Sequence, residues 1–156
     1  MNIWLIIGLV TGGISVGVAV WFYFWVNRLD PGSERAEEVA DWIRQGAVTY
    51  LRRLYTALLL VAAVLAVIIA MVFGLQNGAV YGVQMAFAFL CGAFLSAVAG
   101  YMGMTIAVSA NVRSATAAEE GLNPAFNVAF KAGSVMGLAM VGIAVVGMCV
   151  IYLLFR

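Results

Sequence analysis

The sequence predicts an all-α, polytopic membrane protein with four transmembrane helices, and three observations predict it. Apolar residues (AVILMFWYC) make up 65% of the 156 residues, where a soluble domain carries roughly 45–50% even with Gly added. Charged residues make up only 10%, too few to cover a water-exposed surface and too few for a disordered chain. The charges are also confined: ten fall between Arg28 and Arg53, four between Arg113 and Lys131, and the last is Arg156. The stretches 1–27, 54–112 and 132–155 carry none. A bilayer core of ~30 Å takes about 20 apolar residues as a helix, so the outer two stretches hold one span each and the middle one holds two. The length fits a single membrane domain, residues 1–156.

Span 1 covers about 3–26. Met1 and Asn2 supply no cation for a signal peptide, and the apolar run is too long for its h-region. In place of a cleavage site stands Trp21-Phe22-Tyr23-Phe24-Trp25, an aromatic interfacial belt. The span is therefore expected to stay in the mature chain. In the connection 27–53, Ala36, Val39, Ala40, Ile43, Ala47, Tyr50 and Leu54 recur at three- and four-residue steps, the pattern of an amphipathic helix. Asp30-Pro31-Gly32-Ser33 starts it, with Asp or Ser as cap. Acids crowd its first half and arginines its second, matching the helix dipole. No strong breaker separates it from span 2 (about 54–75), so one helix is predicted from about Glu34 to Phe73. It is longer than the bilayer is thick and must project from it.

The cluster Gly74-Leu75-Gln76-Asn77-Gly78 predicts the turn into span 3, about 79–108, which continues without a breaker to Asn111. In the connection 109–131, Gly121 ends any short helical piece and Asn123-Pro124 reads as the start of the last helix. Span 4 covers about 132–155. Lys and Arg set the orientation. Seven (Arg28, Arg35, Arg44, Arg52, Arg53, Arg113 and Lys131) lie in the two longer connections and only Arg156 lies opposite. Both connections are predicted to be cytoplasmic and both termini outside.

Several classes of chemistry drop out. There is no His, and the net charge is +1, so the commonest general base is missing and no basic stripe is present for nucleic acid. Cys91 and Cys149 sit inside apolar runs and read as small hydrophobes. Glu34, Glu37, Glu38 and Asp41 could be read as a metal site, but with Arg35 and Arg44 beside them they read better as a solvated face with intrahelical pairs. Glu119 and Glu120 read as loop charges. No span contains Asp, Glu, Lys or Arg. Intramembrane charges mark ion and proton pathways, so neither a stand-alone pump nor a small drug/proton antiporter is expected. The spans carry small-residue pairs instead: Gly8/Gly12, Gly13/Gly17, Gly133/Gly137, and the stripe Gly92, Ser96, Gly100. Such faces let helix backbones approach in lipid, and the span 3 stripe is expected to meet another helix.

Two stretches resemble a known family. The first is Gly32-Ser33-Glu34-Arg35, Ala40, Ile43, Gly46-Ala47 and Tyr50-Leu51-x-Arg53-x-Tyr55. The second runs Gly92-Ala93, Leu95-Ser96, Ala99-Gly100-Tyr101-x-Gly103-Met104, Ala110-Asn111-Val112-Arg113, Ala117-Ala118 and Gly121-Leu122-Asn123-Pro124-Ala125. It closes with Val128-Ala129-Phe130 and Gly133-x-Val135-Met136-Gly137-Leu138. In order and spacing these resemble the start of the membrane-bound, ion-translocating inorganic pyrophosphatases. The resemblance implies homodimers that hydrolyse magnesium-bound pyrophosphate and move protons or sodium ions outward, with the first four helices mainly in an outer ring.

In that family an Asp-rich motif beginning Asp-Val-Gly-Ala-Asp holds the magnesium, and this sequence contains no such motif. No catalytic, cofactor-binding or metal-binding residue is therefore assigned to it, and magnesium is implied for the full-length family only. The 156 residues alone are predicted to be inactive. Their expected partners are lipid and the remaining helices of a pump. The alternative is a non-catalytic four-helix subunit of another membrane complex.

Overall fold

The computed structural model describes residues 3–155. Met1, Asn2 and Arg156, on which the signal-peptide argument and the single outer cation rested, lie outside the described residues. Four helices follow one another: α1 Ile3–Asn27, α2 Glu34–Asn77, α3 Ala79–Glu120 and α4 Leu122–Phe155. Each is long and apolar enough to cross a membrane. Apolar side chains such as Leu59, Leu60 and Val64 point outward, as contact with lipid requires.

The predicted connections are helical almost throughout, and the true links are short. Between α1 and α2 the chain turns through 28–33. Asp30 accepts a bond from the Gly32 N–H (2.9 Å), and Ser33 caps α2 by accepting from the Ala36 N–H. α2 then runs for 44 residues, about 66 Å at ~1.5 Å per residue. Of the five-residue breaker cluster only Gly78 leaves the helix, at φ +97°, a conformation costly for any residue with a Cβ. Its N–H closes α2 on the Gly74 carbonyl at 3.0 Å. Likewise Gly121, at φ +138°, ends α3 itself instead of a separate short helix. α4 begins at Leu122, so Asn123 lies inside it and Pro124 in its first turn, where a missing N–H costs nothing.

The helices alternate in direction and stand in the spatial order α2, α3, α4, α1. Links 28–33 and Gly121 therefore share one end, which also carries 14 of the 15 charges. α2 lies against α3 alone among the described residues. Of its predicted apolar stripe, Ala36, Ala40 and Ala47 are partly covered, whereas Val39, Ile43, Tyr50 and Leu54 remain exposed.

The small-residue pairs divide. Gly8 meets Cys149 and Val145, and Gly12 meets the Gly142 carbonyl, so this pair seats α1 on α4. Gly13, Gly17, Gly133 and Gly137 face open space. Of the two glycines in the span 3 stripe, Gly100 meets another helix, through the Tyr55 hydroxyl, while a Cβ on Gly92 would meet nothing within 4 Å. The buried core, Val26, Ile106, Ala110, Ala132 and Val135, lies where α1, α3 and α4 converge toward the charged end.

Candidate functional site

Above that core sits a polar junction that sequence reasoning did not assemble. α1 ends at Asn27, and the Arg28 and Leu29 N–H groups close its last turn on the Trp25 and Val26 carbonyls at 3.2 Å each. Arg113, on α3, reaches across to the carbonyls that follow: its Nη2 donates to the Asn27 carbonyl (3.4 Å) and its Nε to the Leu29 carbonyl just past the helix (3.0 Å). A cation is favoured at a helix C-terminus. The Arg113 Nη1 also donates to the Ser109 carbonyl and hydroxyl, each at 2.8 Å. Ser109 is buried, and its hydroxyl donates to the Asn27 amide oxygen at 2.6 Å. The Asn27 amide nitrogen in turn donates to the Tyr23 carbonyl at 3.0 Å.

Two further contacts flank the junction. The Thr116 hydroxyl donates to the Pro31 carbonyl at 2.8 Å, and Gly32 packs so closely on Thr116 that a Cβ there would collide with its hydroxyl. On the other side the Lys131 ammonium sits 3.4 Å from the centre of the Trp25 ring, a cation–π contact from α4 to the aromatic belt. Three helices and the 28–33 link are thereby tied at one end.

The junction's bonds tie α3 to the end of α1 and to the link that follows it. A guanidinium does not give up its proton. The Ser109 hydroxyl donates to an amide and has no base beside it, so it is no activated nucleophile. The signal that could have exposed the cluster was Arg113, the one cation that follows the long uncharged run 54–112 directly. Counting it only among the orienting cations leaves that role unassigned.

The acids stand elsewhere. Arg35 pairs with Glu38 at 2.8 Å and Arg44 with Asp41 at 4.0 Å, both at three-residue spacing on the exposed face of α2. Glu34 and Glu37 lie in its first turn, near the positive end of the helix dipole. Among the described residues no three His, Cys, Asp or Glu side chains converge to hold a metal ion. Magnesium bound with a phosphate substrate takes one or two carboxylates plus phosphate oxygens in octahedral array. Of the acids on α2, Glu38 and Asp41 are already engaged by arginines on the same helix.

Comparison with known proteins decides the family. The family described as "Inorganic H+ pyrophosphatase" matches residues 13–156. The chain belongs to the inorganic H+ pyrophosphatase family. Among its relatives, a "K(+)-insensitive pyrophosphate-energized proton pump" of Methanosarcina mazei is 38% identical over 92% of this chain. A "K(+)-stimulated pyrophosphate-energized sodium pump" of Thermotoga maritima is 38% identical over 91%. A second proton pump of the K(+)-insensitive kind, from Caldanaerobacter subterraneus, is 33% identical over 91%. The chain spans only about a fifth of these relatives' length: 21%, 19% and 21% respectively. This pyrophosphatase family member is an integral membrane protein of four spanning helices.

Proposed function

We propose that this chain supplies the first helices of a pyrophosphate-energised proton or sodium pump, with the hydrolytic and ion-gating groups carried by chain outside these 156 residues. The single observation that carries the reading is the coverage: nine-tenths of this chain aligns with pumps of which it makes up about one fifth. Its own side chains support the same division of labour. Its polar junction ties helices together, and its carboxylates neither converge nor enter the spans.

On this reading the charged end faces the cytoplasm, following its excess of Lys and Arg, and both ends of the chain face outward. Magnesium pyrophosphate is bound by the remainder of the pump, and the assembled pump is a homodimer. The test is pyrophosphate-driven ion uptake in membrane vesicles from cells with and without this segment. Deletion should abolish uptake, and the purified 156-residue chain should hydrolyse no pyrophosphate with magnesium present. Uptake that survives the deletion, or hydrolysis by the isolated chain, would overturn the proposal.

A further inference from the structure

Each apolar stretch is bounded at the charged end by a cation: Arg28 after 1–27, Arg53 and Arg113 on either side of 54–112, and Lys131 before 132–155. Arg53 stands exposed on α2. Arg28 and Lys131, on the packed pair α1 and α4, share one neighbour, Trp25. The Lys131 ammonium sits 3.4 Å from the centre of its ring, and the Arg28 N–H bonds back to its carbonyl at 3.2 Å. Arg113 completes the group, since the carbonyls of Asn27 and Leu29 that it binds flank Arg28 in the chain.

No carboxylate answers these charges. Among the described residues the ion pairs are Arg35 with Glu38 and Arg44 with Asp41, both within α2. Asp30, the acid nearest to Arg28 in the chain, holds the Gly32 N–H at 2.9 Å instead. An aromatic face attracts a cation without neutralising it, and the dipole at the end of α1 offsets only part of a charge. The corner where α1 meets α4 therefore carries Arg28, Arg113 and Lys131 with no anion of the chain paired to them.

The place of the corner decides which anion fits. Arg28 and Lys131 mark where α1 and α4 leave the apolar layer. Just below them on α1, Trp21 and Phe24 are 65% and 57% exposed. Exposed rings at such a boundary sit at the level of the lipid headgroups, and Lys and Arg there attract anionic lipid. A dissolved anion would use the charge and leave both rings idle, whereas a lipid uses both. Arg53 has no aromatic ring of another helix against it and offers charge alone.

We infer that this corner binds the headgroup of an anionic phospholipid. Its phosphate is held by the Arg28 guanidinium and the Lys131 ammonium, the latter kept in place by Trp25. Trp21 and Phe24 take the glycerol backbone and the first carbons of the acyl chains. Arg113 adds positive potential while staying on its carbonyls. The site consists of this chain's own residues and does not depend on the pump reading.

The test uses the protein in the assembly it forms in its own membranes, extracted in mild detergent and placed in nanodiscs of phosphatidylglycerol and phosphatidylcholine in equal parts. A phosphatidylglycerol carrying a diazirine on its headgroup should, on illumination, form adducts with the segments around Arg28 and Lys131, located by peptide mass spectrometry. Added unlabelled phosphatidylglycerol should compete, and phosphatidylcholine should not. Inorganic phosphate should do no more than potassium chloride of equal ionic strength. Arg28→Gln combined with Lys131→Gln should lower the yield at these segments by roughly tenfold. Arg28→Lys combined with Lys131→Arg should preserve it, and Arg53→Gln should leave it unchanged. Equal competition by phosphatidylcholine would show that headgroup charge is not recognised. Displacement by inorganic phosphate beyond the salt control would assign the corner to a dissolved anion, and absence of adducts in the unsubstituted protein would mean that a protein segment covers it. Each of these results overturns the inference, as does an undiminished yield in the double Gln variant or an equal loss in Arg53→Gln. The competition measurements use the unsubstituted protein and hold whether or not a variant folds.

Discussion

The contact of α1 with α4 and the contact of α2 with α3 solve the same problem in different ways. α1 is the shortest helix and lies on α4 through backbone: a Cβ on Gly142 would stand 2.9 Å from the Gly12 carbonyl, and one on Gly12 3.2 Å from the Gly142 carbonyl. The Ser15 hydroxyl adds a bond to the Leu138 carbonyl at 2.9 Å. α2, the longest helix, touches α3 through separate anchors. At the outer turn Gly82 packs onto the backbone of Ala70 and Gly74. Midway the Tyr55 hydroxyl donates to the Ala97 carbonyl at 2.8 Å, and at the charged end Pro31 and Gly32, in the link that leads into α2, meet Thr116. Between anchors a groove of about 900 Å³ stays open. In lipid, helices gain nothing from hiding apolar surface from one another. Contact is therefore made where backbones approach, as at Gly12/Gly142 and Gly82/Gly74, or where a side chain bonds across, as at Tyr55, and the groove stays open between these points.

Substitutions at the two contacts can break or sharpen that contrast. The largest effect is expected from Gly142→Leu, whose Cβ would come within 2.7 Å of the Val16 methyl and up against the Gly12 backbone. Overpacking costs about 1–3 kcal/mol, and the upper end applies where the obstacle is backbone. A sharp fall in melting temperature and in monodisperse yield in mild detergent should follow. An unchanged melt would show that α1 is not held by close backbone approach.

Next comes Arg113→Ala, which removes the guanidinium from the carbonyls of Asn27, Leu29 and Ser109. Bonds from a charged group contribute about 1.5–3 kcal/mol, so a loss of about 2 kcal/mol is expected. Arg113→Lys should recover only part of it, since an ammonium lacks the planar fork that spans both α1 and α3. Full recovery would mean that charge alone, and not the fork, holds the end of α1.

Smaller again is Tyr55→Phe, which deletes the bond to Ala97 and leaves the packing. Interhelical bonds in membranes average about 0.6 kcal/mol, and a double-mutant cycle with Gly100→Ala should show coupling, because the added Cβ lies 3.3 Å from the Tyr55 oxygen. The smallest effect, of opposite sign, belongs to Gly13→Ala. With nothing within 4 Å of its Cβ, the gain is only helix propensity, at most about 1 kcal/mol. Destabilisation there would place a second contact on α1 that the Gly8/Gly12 face does not account for.

The number of spans, their order and the common end at which α1–α2 and α3–α4 are joined were legible in the sequence. So were the long helix that Ser33 caps and the Arg–acid pairing of α2. Each of these rests on local rules: charge is excluded from the apolar layer, caps sit at the first turn, and pairs form at three- and four-residue spacing. The turn cluster 74–78 was read too broadly because four of its five residues tolerate a helix when the next helix packs on them, as Gly82 does on Gly74. The polar junction was not legible, since Asn27 and Arg113 are far apart in the chain and each looks like an ordinary boundary residue.

By itself, then, the sequence determined that there are four helices long and apolar enough to cross a membrane, which end carries the charge and to which family the pattern belongs. Those properties follow from hydropathy, charge and short-range spacing along one helix at a time. Only the tertiary structure decided that α1 joins α4 instead of α2, that Gly8 and Gly12 are contacts while Gly13 and Gly17 are not, and that Arg113 closes the end of α1. The physical reason is that, where lipid replaces water, no bulk force draws apolar helices together. Partners are chosen by the fit of particular surfaces across space, and glycines alike in sequence acquire different roles from the helix each one happens to meet.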